Sequence, residues 1–351
     1  MSTLDGLWRR GTDFLGSDYA IMGGAMSWVS ERHLVAALSN AGAFGVIANG
    51  SMPPELLEQE IIETKALTDK AFGVNLIIMH PQLDALIEVC KRQNVSHVVL
   101  AGGIPSGNHI KAIKEYGGKV MGFAPSAIIG RKLVRLGADA LVIEGMEAGG
   151  HIGPVTTSVL AQEVLPQIRE VPVFIAGGIG RGEAMVSYLE MGASGVQLGT
   201  RFVCASECIA HAKFKELFIR SQARDAIPSV QLDPDFPVIP VRAIANQATD
   251  HFMRFQKEVI EQYRGGALDK KTAQLKIEHF WAGALRKAVI DGDVEHGSVM
   301  AGQSVGMVSK IQPVREIIEE LVTQGEEYLS ARRDRHLVLA SERSEEFQPI
   351  A

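Results

Sequence analysis

The sequence predicts an α/β protein built on a closed (β/α)8 barrel, with a small inserted helical lid domain. Short apolar runs alternate with longer amphipathic stretches from Tyr19 to about residue 220, as successive βα units do. Runs such as LVIE and VFIA are apolar throughout, which suits parallel strands buried on both faces. We count eight such units, whereas an open doubly wound sheet ordinarily has about five or six strands and a glycine fingerprint after the first.

The eight predicted strands are separated by segments of helical periodicity. The strands are Tyr19–Met22, Phe44–Ala48, Phe72–Ile78, Val98–Ala101, Lys119–Phe123, Ala140–Ile143, Val173–Ala176 and Gly195–Leu198. The helices include Glu31–Asn40, Pro54–Leu67, Gln82–Gln93, Ala127–Leu136 and Gly182–Met191. A glycine follows three helices, in LSNAGAFGVIA, VRLGADALVIE and LEMGASGVQLG, where it supplies a left-handed cap. These loops belong to the stability face of a barrel, so function is expected at the other strand ends.

The periodic pattern changes in the segment IPSVQLDPDFPVIPVRAIANQ, which is rich in Pro and Asp. We therefore predict a barrel over residues 1–225 and an inserted, mainly helical lid over 226–297. Residues 298–351 are expected to return to the barrel mouth, form a final helix around Val314–Ser330 and end in a polar tail. The tail from Ala331 is dense in charge and is expected to be peripheral.

Composition and charge exclude several classes of protein. The 351 residues are 46% hydrophobic and 22% charged, which excludes a disordered chain, and the net charge of −6 without a basic run argues against a nucleic acid partner. Cys90, Cys204 and Cys208 form no CxxC pair, so neither a disulfide framework nor a metal site is expected, and the thiols are predicted to be reduced. No signal peptide and no apolar run of about 18 residues is visible, which predicts a cytoplasmic protein with no membrane partner.

Two glycine turns follow the last two predicted strands. Ala176-Gly177-Gly178-Ile179 follows the seventh strand, and Gly199-Thr200-Arg201 follows the eighth. In (β/α)8 barrels these two loops commonly bind a phosphate, because glycine backbones offer N–H donors at close approach. Either turn alone is equally consistent with a tight turn and no ligand. A dinucleotide fingerprint is disfavoured, because the glycines are spaced GxGxG after a late strand.

A third glycine-rich turn, EGMEAGGHIG, follows the sixth predicted strand and contains His151. Imidazole exchanges a proton near neutral pH, and neighbouring glycines let a flat ligand approach the backbone. His151 is therefore the predicted acid/base, whereas the other nine histidines lie on predicted helices, turns or the tail. If His151 has no such role, Glu144 and Glu147 on the same loop are the next candidates.

These motifs together resemble the nitronate monooxygenase superfamily, which includes FMN-dependent type II enoyl-acyl-carrier-protein reductases, and the match is closest to those reductases. Besides EGMEAGGHIG, the resemblance rests on FGVN at 72–75, AGGI at 176–179, VQLGTRF at 196–202, VRAIANQ at 241–247 and GSVMAGQ at 297–303. It covers about residues 19–330. It implies a TIM barrel that binds FMN without a covalent link, with the flavin ring across the mouth.

The resemblance also implies roles for individual residues. Gly177, Gly178, Gly199 and Thr200 would bind the FMN phosphate. The residues expected near the ring and ribityl chain, or elsewhere in the flavin site, are Gly24, Met26, Asn75, Glu144, Ala148, Gly149, Gln197 and Gln303. His151 would be the acid/base. One departure stands in the first turn, where the usual QGGM is Gly23-Gly24-Ala25-Met26, so that a side-chain amide is missing.

Three functions remain open from the sequence. The first is an NAD(P)H-dependent enoyl-thioester reductase, and the second is a nitronate monooxygenase that uses O2. The third is a non-catalytic flavin- or phosphate-binding barrel. An acyl carrier protein is a candidate partner if Arg201, Arg242 and Lys310 form a basic rim, and a homodimer is compatible with exposed apolar helix faces.

Overall fold

The computed structural model describes residues 3–50, 52–236 and 238–346. The first nine strands are β1 (Ile21–Gly23), β2 (Gly45–Ala48), β3 (Phe72–Ile77), β4 (His97–Ala101), β5 (Lys119–Phe123), β6 (Ala140–Glu144), β7 (Gly150–His151), β8 (Val173–Ala176) and β9 (Gly195–Leu198). All but β7 form one parallel sheet in the order β1-β9-β8-β6-β5-β4-β3-β2. Met22 pairs with Phe44, and the Phe44 N–H donates to the Ile21 carbonyl at 2.9 Å, which joins the two ends of the sheet. The predicted (β/α)8 barrel is thus confirmed.

Helices surround this barrel. They are α1 (Thr3–Leu15), α2 (Arg32–Asn40), α3 (Pro54–Leu67), α4 (Leu83–Arg92), α5 (Gly107–Glu115), α6 (Ala127–Leu136), α7 (Thr157–Val164), α8 (Gly182–Glu190), α9 (Thr200–Val203) and α10 (Ala212–Arg220). The ends of α6 show why these boundaries form, because the Ser126 hydroxyl accepts a hydrogen bond from the Ile129 N–H and Gly137 terminates the helix at a φ of +104°. The other two glycines predicted to follow helices, Gly42 and Gly192, also have positive φ.

Alternation along the strands separates an inner from an outer face. Met22, Val99 and Val142 belong to one apolar cluster inside the barrel, whereas their chain neighbours pack outward against the helices. This alternation turns three polar side chains of the last inner layer toward the barrel interior, namely Asn75, Glu144 and Gln197. The carboxyl ends of the strands, which we call the mouth, are therefore polar. Beneath them lies the apolar cluster that contains Met22, Val99 and Val142, which we call the apolar plug.

The opposite end of the barrel, which we call the base, is closed by α1. The Phe14 carbonyl accepts hydrogen bonds from His97 Nε2 at 2.9 Å and from Lys119 Nζ at 2.5 Å. Leu15 is fully buried beside them. The sequence analysis did not predict α1. It placed the nine histidines other than His151 on helices, turns or the tail, which is wrong for His97, because His97 begins β4. The strand pattern could not assign it, since a buried histidine is polar.

A second, antiparallel sheet lies next to the barrel. The remaining elements are β10 (Ala226–Pro228), β11 (Val241–Ile244), α11 (Gln247–Arg264), α12 (Lys270–Val289), β12 (Val299–Met300) and α13 (Val314–Glu346). Strand β11 pairs with β10, with β12 and with β7 from the loop after β6. The segment 226–297 contains two long helices, as expected, and its status as a lid domain stays a prediction.

The final helix is longer than expected. We predicted an end near Ser330, but α13 continues to Glu346. The physical reason is that residues 331–346 contain neither Gly nor Pro and are rich in Ala, Leu, Arg and Glu, which favour helix. Residues 347–351 of the predicted tail lie outside the described residues. No helix in the described part of the chain is long and apolar enough to cross a membrane, and all three cysteines are buried and free.

Candidate active site

The loop after β6 is fixed to the turn after β8. The Glu147 carboxylate accepts hydrogen bonds from the Thr157 N–H at 2.8 Å and the Thr157 hydroxyl at 2.9 Å. That hydroxyl also lies 3.0 Å from the Gly177 carbonyl oxygen. The Glu147 carboxylate therefore caps the N-terminus of α7 and links two loops of the mouth, so it is already engaged in holding the backbone.

The return segment brings further predicted residues to the same place. The Gln303 N–H donates to the Glu147 carbonyl at 2.9 Å, and the Gly302 N–H donates to the Thr200 hydroxyl at 3.0 Å. A methyl group on Gly149 would lie 2.6 Å from backbone atoms of residues 301 and 302, so only glycine fits there. Gly149, Thr200 and Gln303 are thus brought together at the mouth, with the buried Ala148 between Glu147 and Gly149.

The two glycine turns after β8 and β9 present unpaired backbone donors. In the described part of the chain, the N–H groups of Gly178, Ile179 and Gly199 donate to no backbone or side-chain acceptor. Gly177 and Gly178 have φ of +94° and +75°, a conformation that side chains other than glycine rarely adopt. Unpaired N–H groups are costly away from water, so these turns are suited to an anionic ligand.

The turn after β1 packs against β9. The Ser30 hydroxyl donates to the Gly24 carbonyl at 2.8 Å and accepts from the Met26 N–H at 3.0 Å, which holds the turn. A Cβ on Gly24 would lie 3.5 Å from Gln197, and one on Gly199 would lie 3.2 Å from the Met26 sulfur. Gly24, Met26, Gln197 and Gly199 therefore share one side of the mouth.

The departure in the first turn has a structural counterpart at Gly23. A Cβ at this position would lie 2.3 Å from Leu38 Cδ1. A glutamine here would require Leu38 to move. The close packing of α2 against β1 therefore accommodates glycine, and not glutamine, at this position.

Glu144 and Asn75 supply polar groups from inside the barrel. The Glu144 side chain is partly buried, and burial raises the pKa of its carboxyl to about 8. The Asn75 amide donates to the Val99 carbonyl at 3.1 Å. Asn49, which the sequence analysis missed, follows β2 directly and its N–H donates to the Asn75 carbonyl at 3.2 Å. Its Oδ1 is buried and has no partner in the described residues; a polar residue directly after an apolar strand was the available signal.

His151 lies on β7, opposite Val241 of β11, and its side chain is exposed. Arg242, the neighbour of Val241, holds this loop because its Nε donates to the Met146 carbonyl at 2.9 Å and its guanidinium also donates to the Ala226 carbonyl at 2.5 Å. The structure thus places His151 at the rim of the same mouth, two residues beyond the Gly149 contact.

The expected basic rim is wrong for two of its three members. Arg242 is 2% exposed and Arg201 is 6% exposed. Arg201 donates to the Met307 carbonyl at 2.5 Å and forms an ion pair with Glu320 at 3.0 Å. Both guanidinium groups hold loops together inside the protein, because buried charges require partners, and only Lys310 is exposed.

Comparison with known proteins gives consistent similarities. Residues 9–324 match a family model described as nitronate monooxygenase. The structure of FabK from Thermotoga maritima is 36% identical, covers 93% of this chain and 98% of that chain, and superposes with a TM-score of 0.82.

Two curated relatives are more distant in sequence. One, from Mycobacterium tuberculosis, is named (3aS,4S,5R,7aS)-5-hydroxy-7a-methyl-1-oxo-octahydro-1H-indene-4-carboxyl-CoA dehydrogenase and is 28% identical over 338 residues, covering 89% of this chain and 94% of the relative. The other is a probable nitronate monooxygenase of Staphylococcus aureus, 26% identical over 358 residues, covering 89% and 96%.

Proposed function

Because this chain belongs to the nitronate monooxygenase family of flavin-dependent oxidoreductases, we propose that it is an FMN-dependent enoyl-thioester reductase that uses NAD(P)H. The 36% identity to FabK, an enoyl-ACP reductase II, supports this choice. The Mycobacterium relative is named for a CoA thioester, so two of the similar proteins have names that point to acyl thioesters. An acyl carrier protein or CoA would then carry the substrate.

The observation that carries the proposal is the set of unpaired donors at the two glycine turns. Gly178, Ile179 and Gly199 carry N–H groups that have no acceptor in the described residues, and they follow the neighbouring strands β8 and β9, which fits the FMN phosphate. The unpaired Oδ1 of Asn49 and the unpaired carboxyl of Glu144 fit a polar, flat heterocycle above the apolar plug. Asn75 and Gln197 would line the same layer.

The remaining residues position these groups and move a proton. When bound, FMN accepts a hydride from the nicotinamide and supplies one to the β-carbon of the substrate. Gly149 lets the return segment pack closely on the loop after β6, and the Thr200 hydroxyl and the Gln303 N–H hold that segment at the mouth. His151 would donate the proton that the substrate α-carbon gains, from an imidazole that is exposed at the rim and so accessible to substrate.

A nitronate monooxygenase is the second candidate. It is favoured by the Staphylococcus relatives that carry this name at 26% identity. In that reaction an alkyl nitronate would reduce the flavin, O2 would reoxidise it, and His151 would act as the base.

Anaerobic mixing of the purified yellow protein with separate reductants tests the proposal. We expect NADH or NADPH to bleach the flavin, and an enoyl thioester to restore its colour, while an alkyl nitronate leaves it oxidised. Bleaching by the nitronate alone would replace the reductase with the monooxygenase. A protein that binds no flavin would overturn both.

A further inference from the structure

The structure separates the three titratable groups of the loop after β6. His151 is exposed on β7. Glu147 accepts two hydrogen bonds from Thr157. Glu144 belongs to the inner face of β6, together with Ala140 and Val142 of the barrel plug. Only Glu144 combines an inward position with the absence of a hydrogen-bond partner among the described residues.

Among the described residues, the elements packed against β6 place no compensating positive charge beside Glu144. Its register neighbour on β8 is Ala176, which in turn neighbours the uncharged Gln197 on β9. The charged group of β5 is Lys119 at the base, where it bonds to the Phe14 carbonyl. The charged group of α7 is Glu163, which is exposed outside the barrel and accepts from the Ala127 N–H.

The ionisation of Glu144 is therefore governed by burial alone. A carboxylate removed from water without a cation or donor is strongly disfavoured, whereas the neutral acid is tolerated and carries an O–H donor. Burial raises the pKa of this carboxyl to about 8, in agreement with that expectation. At neutral pH the flavin-free pocket thus offers an acid O–H rather than a negative charge.

We propose that Glu144 acts as a neutral acid that donates a hydrogen bond to the bound flavin, so that tight flavin binding requires the protonated carboxyl. The inference rests on the proposed function, since it needs a flavin at the mouth. It adds a coupling between pH and cofactor binding at that site. Glutamine keeps a donor at this position without an ionisable proton, which makes Glu144→Gln the informative substitution.

Titration of flavin-free protein with FMN between about pH 6 and pH 9.5 tests the coupling, with fluorescence as the readout. For the unsubstituted protein we expect a constant Kd up to about pH 8 and a rise approaching tenfold per pH unit above it. Glu144→Gln should bind FMN with a flat profile once ionisation of the ligand itself, common to all variants, is subtracted. Glu163→Gln removes a carboxylate outside the barrel and should retain the original profile.

The outcomes separate the coupling from the flavin site itself. If the unsubstituted protein and Glu144→Gln bind FMN with the same pH profile, the proposed role of Glu144 is wrong and the reductase proposal stays intact. A protein that binds no FMN at any pH overturns both. If Glu144→Gln fails to fold, Glu144→Ala is measured instead and should give weaker binding with a flat profile; a profile like the unsubstituted one contradicts the inference.

Discussion

The two ends of the barrel differ in how particular polar side chains are paired. At the base, His97 Nε2 and Lys119 Nζ share the Phe14 carbonyl, and His97 Nδ1 lies 2.9 Å from the Ser96 hydroxyl. At the mouth, the Asn49 Oδ1 and the Glu144 carboxyl have no partner in the described residues. Natural proteins pair most buried polar groups, so the unpaired groups at the mouth are consistent with the flavin proposed there. The base groups hold the barrel closed, whereas the mouth is the proposed binding site.

Burial shifts ionisation at both ends, with different consequences. It lowers the pKa of His97 to about 4, and the neutral ring keeps its hydrogen bonds within the protein. It raises the pKa of Glu144 to about 8 and leaves a neutral acid facing the pocket. The same desolvation thus contributes to structure at the base and prepares a donor at the mouth.

The largest expected effect comes from the rim of the mouth. His151→Ala should retain FMN but reduce turnover of the enoyl thioester by about 10²–10⁴-fold, because a general acid is lost. NAD(P)H should still bleach the flavin, since that half-reaction needs no proton from imidazole. The matched control is His97→Gln at the base, which should keep normal turnover at pH 7. Full turnover by His151→Ala would assign the proton transfer elsewhere.

A substitution in the base should change stability and not binding. Leu15 is fully buried beneath the barrel plug, so Leu15→Ala should lower the free energy of unfolding by about 2–5 kcal/mol. Urea denaturation measures this loss, and FMN titration below the transition checks the mouth. A large change in FMN affinity would show that the two ends are not independent.

The smallest of the three effects is a pH dependence at the base. The folded-state pKa of His97 is about 4, and its unfolded value is about 6.5. The unfolded chain therefore binds more protons between these values, and stability falls as pH drops from about 6.5 to about 4, by at most about 3 kcal/mol. His97→Gln should lack this contribution. An unchanged slope of unfolding free energy against pH in the variant would contradict the assignment.

Local pattern predicted much of the barrel from sequence. Strands Val173–Ala176 and Gly195–Leu198 were predicted to the residue, because short and mainly apolar segments are bounded by proline or glycine. Helix α1 was missed because it contributes to the fold by covering the base, a contact between distant segments. The glycine turns of the mouth were visible as motifs for the same local reason as the strands.

The roles of charged residues could not be predicted in the same way. Glu144 and Glu147 are three residues apart, yet one meets Thr157 and the other faces the barrel interior. Arg201 and Arg242 were expected at a basic rim, but both are buried. Arg201 donates to the Met307 carbonyl, and Arg242 donates to the Met146 carbonyl. Such roles depend on tertiary neighbours that no local pattern encodes.

The mouth is tested most directly by comparing FMN with riboflavin, which lacks the phosphate, in glycine variants. We expect FMN to bind the unsubstituted protein about 10–100-fold more tightly than riboflavin, as charge-assisted hydrogen bonds would provide. Gly178→Val and Gly199→Val should remove most of that advantage. Gly192→Val, at a positive φ of +106° in a loop at the base end, is the matched control for backbone strain at Gly178 and should retain the advantage. The account is contradicted if the unsubstituted protein binds FMN no more tightly than riboflavin. It is also contradicted if both mouth variants keep the full preference for FMN, because the phosphate would then not bind at these turns.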